Sequence, residues 1–264
     1  MNRRTKLKTF TLALCLLAFA SSASARAQAG TQTSAPAAAQ ASPTEVVRAY
    51  YTALRESRFR DAMLMSILRP AIEALSPEEL KDFQTDFARL SPSVPTDFEI
   101  TGEQLSGEEA TVFVRTGEGK ELKVEPVSLI RERGVWIIGD REGAAAVKKQ
   151  GKKFFSEQRI AAHEQDAEEM LQRIQAAQLA YALQHSGSYA DLNALVRAGY
   201  VPQDILGTET TGYRFNVNVT SDAKSFTARA EPERYGRTGR LSFYLDKFGL
   251  QKKDVGGKQF SPSK

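Results

Sequence analysis

Few residues of this chain are equipped for chemistry, and they are scattered. The two histidines, His163 and His185, stand 22 residues apart. One continuous helix would hold them about 33 Å from each other. They cannot then share a metal, and each reads as a surface or capping residue. A protonated His185 near a helix C-terminus gains a small dipole benefit. A Ser-His-Asp triad needs a serine within reach of a positioned histidine, and no G-x-S-x-G turn offers one. Asp61 is the carboxylate nearest to a general acid or base, but a lone acid on a helix reads as solvated. The glycine-rich stretches 117–119, 207–212 and 236–239 lack the strand-to-helix context of phosphate loops and read as turns. Lys148, Lys149, Lys152 and Lys153 form a basic run that the nearby Glu164, Asp166, Glu168 and Glu169 would screen, so it reads as a solvated face. The expectation is no catalytic residue, no metal and no cofactor.

The first 27 residues read as an export signal. Arg3, Arg4, Lys6 and Lys8 precede the apolar run Phe10–Ala20, and Ala25-Arg26-Ala27 fits a cleavage site before Gln28. The run is shorter than the roughly 20 residues a membrane span needs. A lipoprotein reading of Leu12–Cys15 is poorer, because Leu14 occupies a position that wants a small residue. Residues 1–27 carry five of the 36 Lys and Arg and no acid, so the mature chain would hold 31 basic against 32 acidic residues. That balance gives no support for nucleic-acid binding. Cys15, the single cysteine, would leave with the signal, and disulfide or thiolate chemistry with it. Residues 28–42, rich in Ala, Gln, Ser, Thr and Pro, read as a disordered linker.

Ordered structure is expected from Ser42-Pro43-Thr44-Glu45, a capping box with proline in the first turn. Val47, Tyr50, Tyr51 and Leu54 mark an amphipathic helix after it. Ser76-Pro77-Glu78-Glu79 repeats the device ahead of Leu80, Phe83 and Phe87. Between them, residues 59–75 look helical, with Pro70 set to kink or split the run. From Thr96 the period changes to strands over 98–104, 110–116, 121–131 and 135–140, separated by glycine turns. Helices followed by a four-stranded antiparallel meander make an α+β domain over 43–146. The helix EVVRAYYTALRESRFRDAM, the strand EATVFVRT and the segment LIRERGVWIIGD resemble the NTF2-like (cystatin-like roll) superfamily. The resemblance implies a cone whose mouth holds a small ligand, with Tyr51, Phe113 and Trp136 lining it and Asp61 as the nearest acid.

A charged helical connector is expected over 147–162. From His163 the chain turns helical, with Met170, Ile174, Ala177 and Tyr181 in one stripe and Leu171, Gln178 and Leu179 alongside. Gly187 should end the helix, and a shorter helix follows at 190–198. Three strands then alternate over 213–220, 226–231 and 241–245, and 251–264 reads as a flexible tail. A long helix packed on a small antiparallel sheet is again α+β, over 163–250. The order RIQAAQLAYALQHSGSYADLNAL, DILGTETTGYRFNVNV, FTARAEPERYGRTGRLSFYLDKFG resembles the soluble part of type IV pilins and pseudopilins. In place of a pilin's membrane-inserted half stands KKQGKKFFSEQRIAAHEQDAEE, too charged for lipid. In place of a pseudopilin calcium loop, YGRTGRLSFYLDKFG offers only Asp246. The resemblance implies a shared fold, with the helix as connector rather than filament core.

These readings lead to an exported, non-enzymatic two-module protein for binding or assembly in the cell envelope, periplasmic or extracellular. Its expected partner is an envelope or secretion-system protein, with no nucleic acid and no transmembrane segment in the mature chain. One alternative is small-molecule binding or isomerase-like activity in the NTF2-like cone. Another is an accessory role in a type IV pilus or type II secretion system.

Overall fold

The computed structural model describes residues 41–89, 94–117, 119, 122–209 and 211–260. The expected signal segment lies outside the described residues, as does the linker up to residue 40. Within the described chain no helix is long and apolar enough to cross a membrane. The chain divides into two compact units between Phe154 and Phe155, and both are α+β.

The first unit opens with α1 (Pro43–Arg55), capped as its sequence requires. Glu45 N donates to Ser42 Oγ at 3.3 Å while Ser42 N donates to Glu45 Oε2 at 2.7 Å. Two short helices follow, α2 (Phe59–Leu64) and α3 (Arg69–Glu73). They are separate because Pro70 fits only a first turn and because Ser66 bridges in parallel to Ile138. The same reciprocal cap, from Ser76 and Glu79, starts α4 (Pro77–Asp82), and α5 (Gln84–Ala88) completes the helical layer.

Strands β1 (Phe98–Ser106), β2 (Glu109–Thr116), β3 (Lys123–Glu132) and β4 (Val135–Ile138) form an antiparallel sheet in chain order, with a bulge in β1 between Ile100 and Gly102. The strand expected over 135–140 stops at Ile138. Gly139 has φ +126°, and a Cβ there would stand 2.6 Å from Ile67 Cγ2, so only glycine fits. Helix α6 (Arg141–Gln150), capped by Asp140, ends at Gly151, where a 3-10 turn (Gly151–Lys153) interrupts the charged helical connector expected over 147–162.

Both capping-box carboxylates, Glu45 and Glu79, titrate below the ordinary glutamate range, chiefly because the backbone N–H of Ser42 or Ser76 bonds the ionised form. A lowered folded-state pKa adds stability above the unfolded value of about 4.3, and that stability is lost as pH falls through the folded value. The thermal midpoint of the first unit should therefore fall between pH 5 and about pH 3. In a Glu45→Gln/Glu79→Gln variant it should fall less, as circular dichroism melts along the pH series would show.

The second unit is built on α7 (Phe154–Gln184), a helix of 31 residues. Ile160, Ala167, Met170, Leu171, Ile174 and Ala177 are its buried stripe. The helix ends as expected near Gly187, whose φ is +75° and whose N–H donates to Ala182 O at 2.8 Å. Helix α8 (Leu192–Arg197) is capped by Asp191 Oδ1, which accepts from Ala194 N at 2.7 Å. Strands β5 (Tyr213–Val219), β6 (Phe226–Pro232), β7 (Leu241–Asp246) and β8 (Gly249–Asp254) form a second antiparallel meander in chain order. Leu171, Ile174, Leu195, Ile205, Tyr213, Phe243 and Leu245 are its fully buried centre.

The fourth strand corrects the expected tail. Gln251, Lys252 and Lys253 are exposed and charged or polar, as a tail would be, yet their backbone pairs with β7 from Leu241 to Asp246. An edge strand with solvated side chains hides its pairing from any hydrophobic pattern. Beyond it, Phe260 is buried with its ring edge-on to Tyr244 at 6.4 Å.

Candidate functional site

The face of the first sheet that packs on α1 is where the expected ligand cone would lie. Strand alternation turns Ala110, Val112, Val114, Val127, Leu129 and Ile138 toward α1, which answers with Val46 and Val47. Thr44 in the first turn of α1 donates to Glu103 Oε2 from N (2.9 Å) and Oγ1 (2.6 Å), pinning the helix to β1. The space between helix and sheet is filled by these side chains, with Val47, Val112 and Val114 at 0% exposure.

The three residues expected to line a pocket do not converge. Phe113 alternates with the buried Val112 and Val114, so it points away from α1 and lies over Gly102 on the other face. Tyr51 packs on Phe98 (centroids 5.0 Å), which pairs with Thr116 at one end of the sheet. Trp136 pairs with Arg131, eight residues along β3 from the Lys123 that faces Thr116. At 3.4 Å per residue the two sites are about 27 Å apart along the strands. The Arg131 guanidinium sits 5.7 Å from the Trp136 ring and donates from Nε to Gly134 O at 3.1 Å. Pocket residues chosen by aromatic type alone thus fall on two faces and at two ends.

What does gather is a half-buried aromatic lip of Tyr50, Tyr51 and Phe98. The rings of Tyr50 and Tyr51 meet edge-on at 5.7 Å. Burial pushes the Tyr50 hydroxyl up to about 12, with the neighbouring Tyr51 adding to the shift. The Tyr51 hydroxyl is raised too, by burial first and by Glu125 second. A raised folded-state pKa contributes stability fully below the unfolded value near 10, and that contribution is lost as pH rises through 12. The first unit should therefore loosen between pH 10 and 12. A Tyr50→Phe variant should loosen less, as fluorescence of Trp136 along an alkaline titration would show.

Asp61 is an exposed residue in an ion pair with Arg58 (2.8 Å), which also binds Glu56. His185, as expected, is exposed at the end of α7, stacked on Tyr181 with Nδ1 2.8 Å from Tyr181 O.

His163 is the correction. It is buried at 6% exposure, with Nδ1 3.1 Å from Thr238 O, so that nitrogen carries the proton and donates. The reason is position on α7: helical spacing sets His163 on the buried face that runs through Ile160, Ala167 and Met170. The imidazole is a clamp on the 234–239 loop.

Two further clamps escape a hunt for catalytic types. Arg240 holds Glu157 through its two terminal guanidinium nitrogens (2.8 and 2.7 Å), while Glu164 Oε1 accepts from Arg240 N and Leu241 N. Glu164 therefore secures the start of β7, a role beyond the screening of nearby lysines that its charge suggested. Gln178, fully buried, donates from Nε2 to Ala190 O at 2.6 Å and accepts at Oε1 from Ala190 N at 3.0 Å. An amide inside an apolar helical stripe is the signal that was there to be read.

A groove between α7 and the β7–β8 pair is lined by Glu164, Glu168, Gln172, Leu241, Phe243 and Lys252, and the Glu168–Lys252 pair at 2.8 Å bridges it. Among the described residues no three His, Cys, Asp or Glu side chains are grouped to hold a metal ion.

No protein-family profile matches the chain, and no curated protein matches it. Among solved structures, one similar chain is that of a Campylobacter jejuni protein named as an NTF2-like transpeptidase. The likeness is at 15% identity and a TM-score of 0.28, over 37% of this chain and 97% of that one.

Proposed function

We propose that the mature chain is an exported, non-enzymatic protein of the cell envelope that acts by binding or assembly through its surfaces. The observation that supports this most is the packed face between α1 and the first sheet, where buried α1 and β2–β4 side chains take the space a small ligand would need. The residues with chemical potential already hold other parts in place: Asp61 an exposed ion pair, His163 a loop, Glu164 a strand. Export rests on the signal-like residues 1–27. The full mature chain, tagged and incubated with membrane and periplasmic fractions, is expected to capture a defined envelope protein. Turnover of a hydrolase or isomerase substrate that disappears in Asp61→Asn would overturn the reading.

A second reading, an accessory protein of a pilus or type II secretion system, is favoured by the order of the second unit. A long helix followed by a four-stranded meander is the order of a pilin-like module. Leu179 and Leu183, one turn apart on α7 and 55% and 89% exposed, are apolar side chains on that helix for a partner to cover. Captured material should then contain secretion or pilus components and lose them in Leu179→Asp/Leu183→Asp. Capture of none counts against it.

A further inference from the structure

The second sheet has a core face and an outer face, and the outer one is not simply solvated. Ala228, Ala230, Phe243 and Leu245 face the core, so Arg229, Glu231, Ser242 and Tyr244 face outward. Arg229 lies across from Tyr244, and the same register continued puts Glu231 across from Ser242. Outward residues ordinarily meet water, but here Arg229 Nε, Glu231 Oε1 and Ser242 Oγ are buried and have no hydrogen-bond partner among the described residues. Ser242 is at 0% exposure.

The chain's own C-terminal segment packs on this face. After Asp254 the backbone bends at Gly256 and Gly257, with φ +64° and +76°. At Gly257 it presses against Tyr235, where an added Cβ would stand 2.9 Å from the tyrosine Cβ. It arrives at Phe260, whose ring abuts Tyr244. The polar contacts described around it are local: Gly256 N donates to Asp254 Oδ1 at 2.9 Å, Lys258 N donates to Val255 O at 3.3 Å, and the Tyr235 hydroxyl donates to the Asp254 carboxylate at 3.0 Å. Closure therefore buries one large ring on a face that holds three buried polar atoms without a hydrogen-bond partner among the described residues. Opening exposes the ring and hydrates the polar atoms, so the two states oppose terms of similar size.

We propose that residues 255–260 are a strap that opens and closes over Arg229, Glu231, Ser242 and Tyr244 while the sheet beneath stays folded. The two glycines are its hinge, Phe260 is its latch, and the polar atoms beneath it bias it toward opening. The strap gates that face of the sheet.

The chain's single cysteine is Cys15, so a Ser242→Cys substitution in a Cys15→Ser background gives one thiol under the strap. In the full chain under native conditions, this thiol should react with an aromatic disulfide reagent at least a hundredfold faster than Ala230→Cys, which faces the core of the same sheet. Adding Phe260→Ala should speed it about another tenfold and leave Ala230→Cys unchanged. Equal rates for the two thiols would overturn the strap, because both would then wait for unfolding of the whole sheet. Ser242→Ala gives a second reading that needs no labelling. Removing an unpartnered buried hydroxyl should raise the thermal midpoint, and a lowered midpoint would show that the hydroxyl is satisfied and that the bias does not exist.

Discussion

Gln178→Leu should destabilise the second unit by roughly 2–6 kcal/mol. The two side chains are similar in volume, so no cavity is made. What the substitution removes is both partners of Ala190, whose N–H and carbonyl bond to nothing but the Gln178 amide among the contacts described. Ala190 is buried at 6% exposure, so water does not replace the amide. Two orphaned backbone groups at about 1–3 kcal/mol each set the range. The loss is local in cause and wide in effect, because Ala190 precedes the Asp191 cap of α8 and fixes where the chain re-enters the core. Urea unfolding followed by circular dichroism would measure it as a lower midpoint at unchanged slope. Gln165→Leu is the control: that amide lies on the solvated side of the same helix and bonds only weakly to Glu169, at 3.4 Å. It should shift stability by less than about 0.5 kcal/mol. If the two variants behave alike, the clamp is not what holds the α7–α8 turn.

The same residue shows what was legible in the sequence. Periodicity found α7 and included Gln178 in its stripe, because helical spacing is a property of position. It could not say that the amide bonds a backbone group twelve residues on, because that partner is chosen by the fold. The capping boxes at Ser42 and Ser76 were readable in full, since both donors and both acceptors lie within four residues. The strands of the first sheet were readable as elements, but their register was not. Register is what separates Tyr51 from Trp136 and turns Phe113 to the opposite face. A pocket is a statement about register and layer, so a list of aromatic residues could not amount to one. His163 failed for a related reason: a rare, titratable residue invites a surface or chemical reading, whereas its place on the buried face of α7 carried it inside. Strand β8 was missed because an edge strand is held by its backbone, and its Lys and Gln side chains report only the solvent.

Gly239→Ala should cost about 3 kcal/mol and lower the melting temperature of the second unit by roughly 10 °C. Its cause is a close approach and not a backbone conformation. A Cβ at this position would overlap the Tyr213 hydroxyl and stand 2.5 Å from its Cζ. The ring cannot retreat easily. Tyr213 is fully buried, packs against Phe243 at 5.8 Å and donates from its hydroxyl to Leu241 O at 2.8 Å. Burial, more than the nearby Glu164, raises its pKa, so it remains a neutral donor. Gly239 is also fixed from its own side, bridging to Tyr235 and accepting from Gly236 N at 2.8 Å. A methyl group there must displace either the ring or the 235–239 loop that His163 clamps through Thr238. A double-mutant cycle separates this clash from a general intolerance of the loop. Tyr213→Phe alone should lose about 1 kcal/mol with its hydrogen bond. In the Gly239→Ala background the same change removes the atom nearest the new methyl and should recover about 1 kcal/mol instead. A coupling of that sign ties the glycine to the tyrosine hydroxyl. Strict additivity would mean that the loop backbone, and not Tyr213, demands glycine at 239.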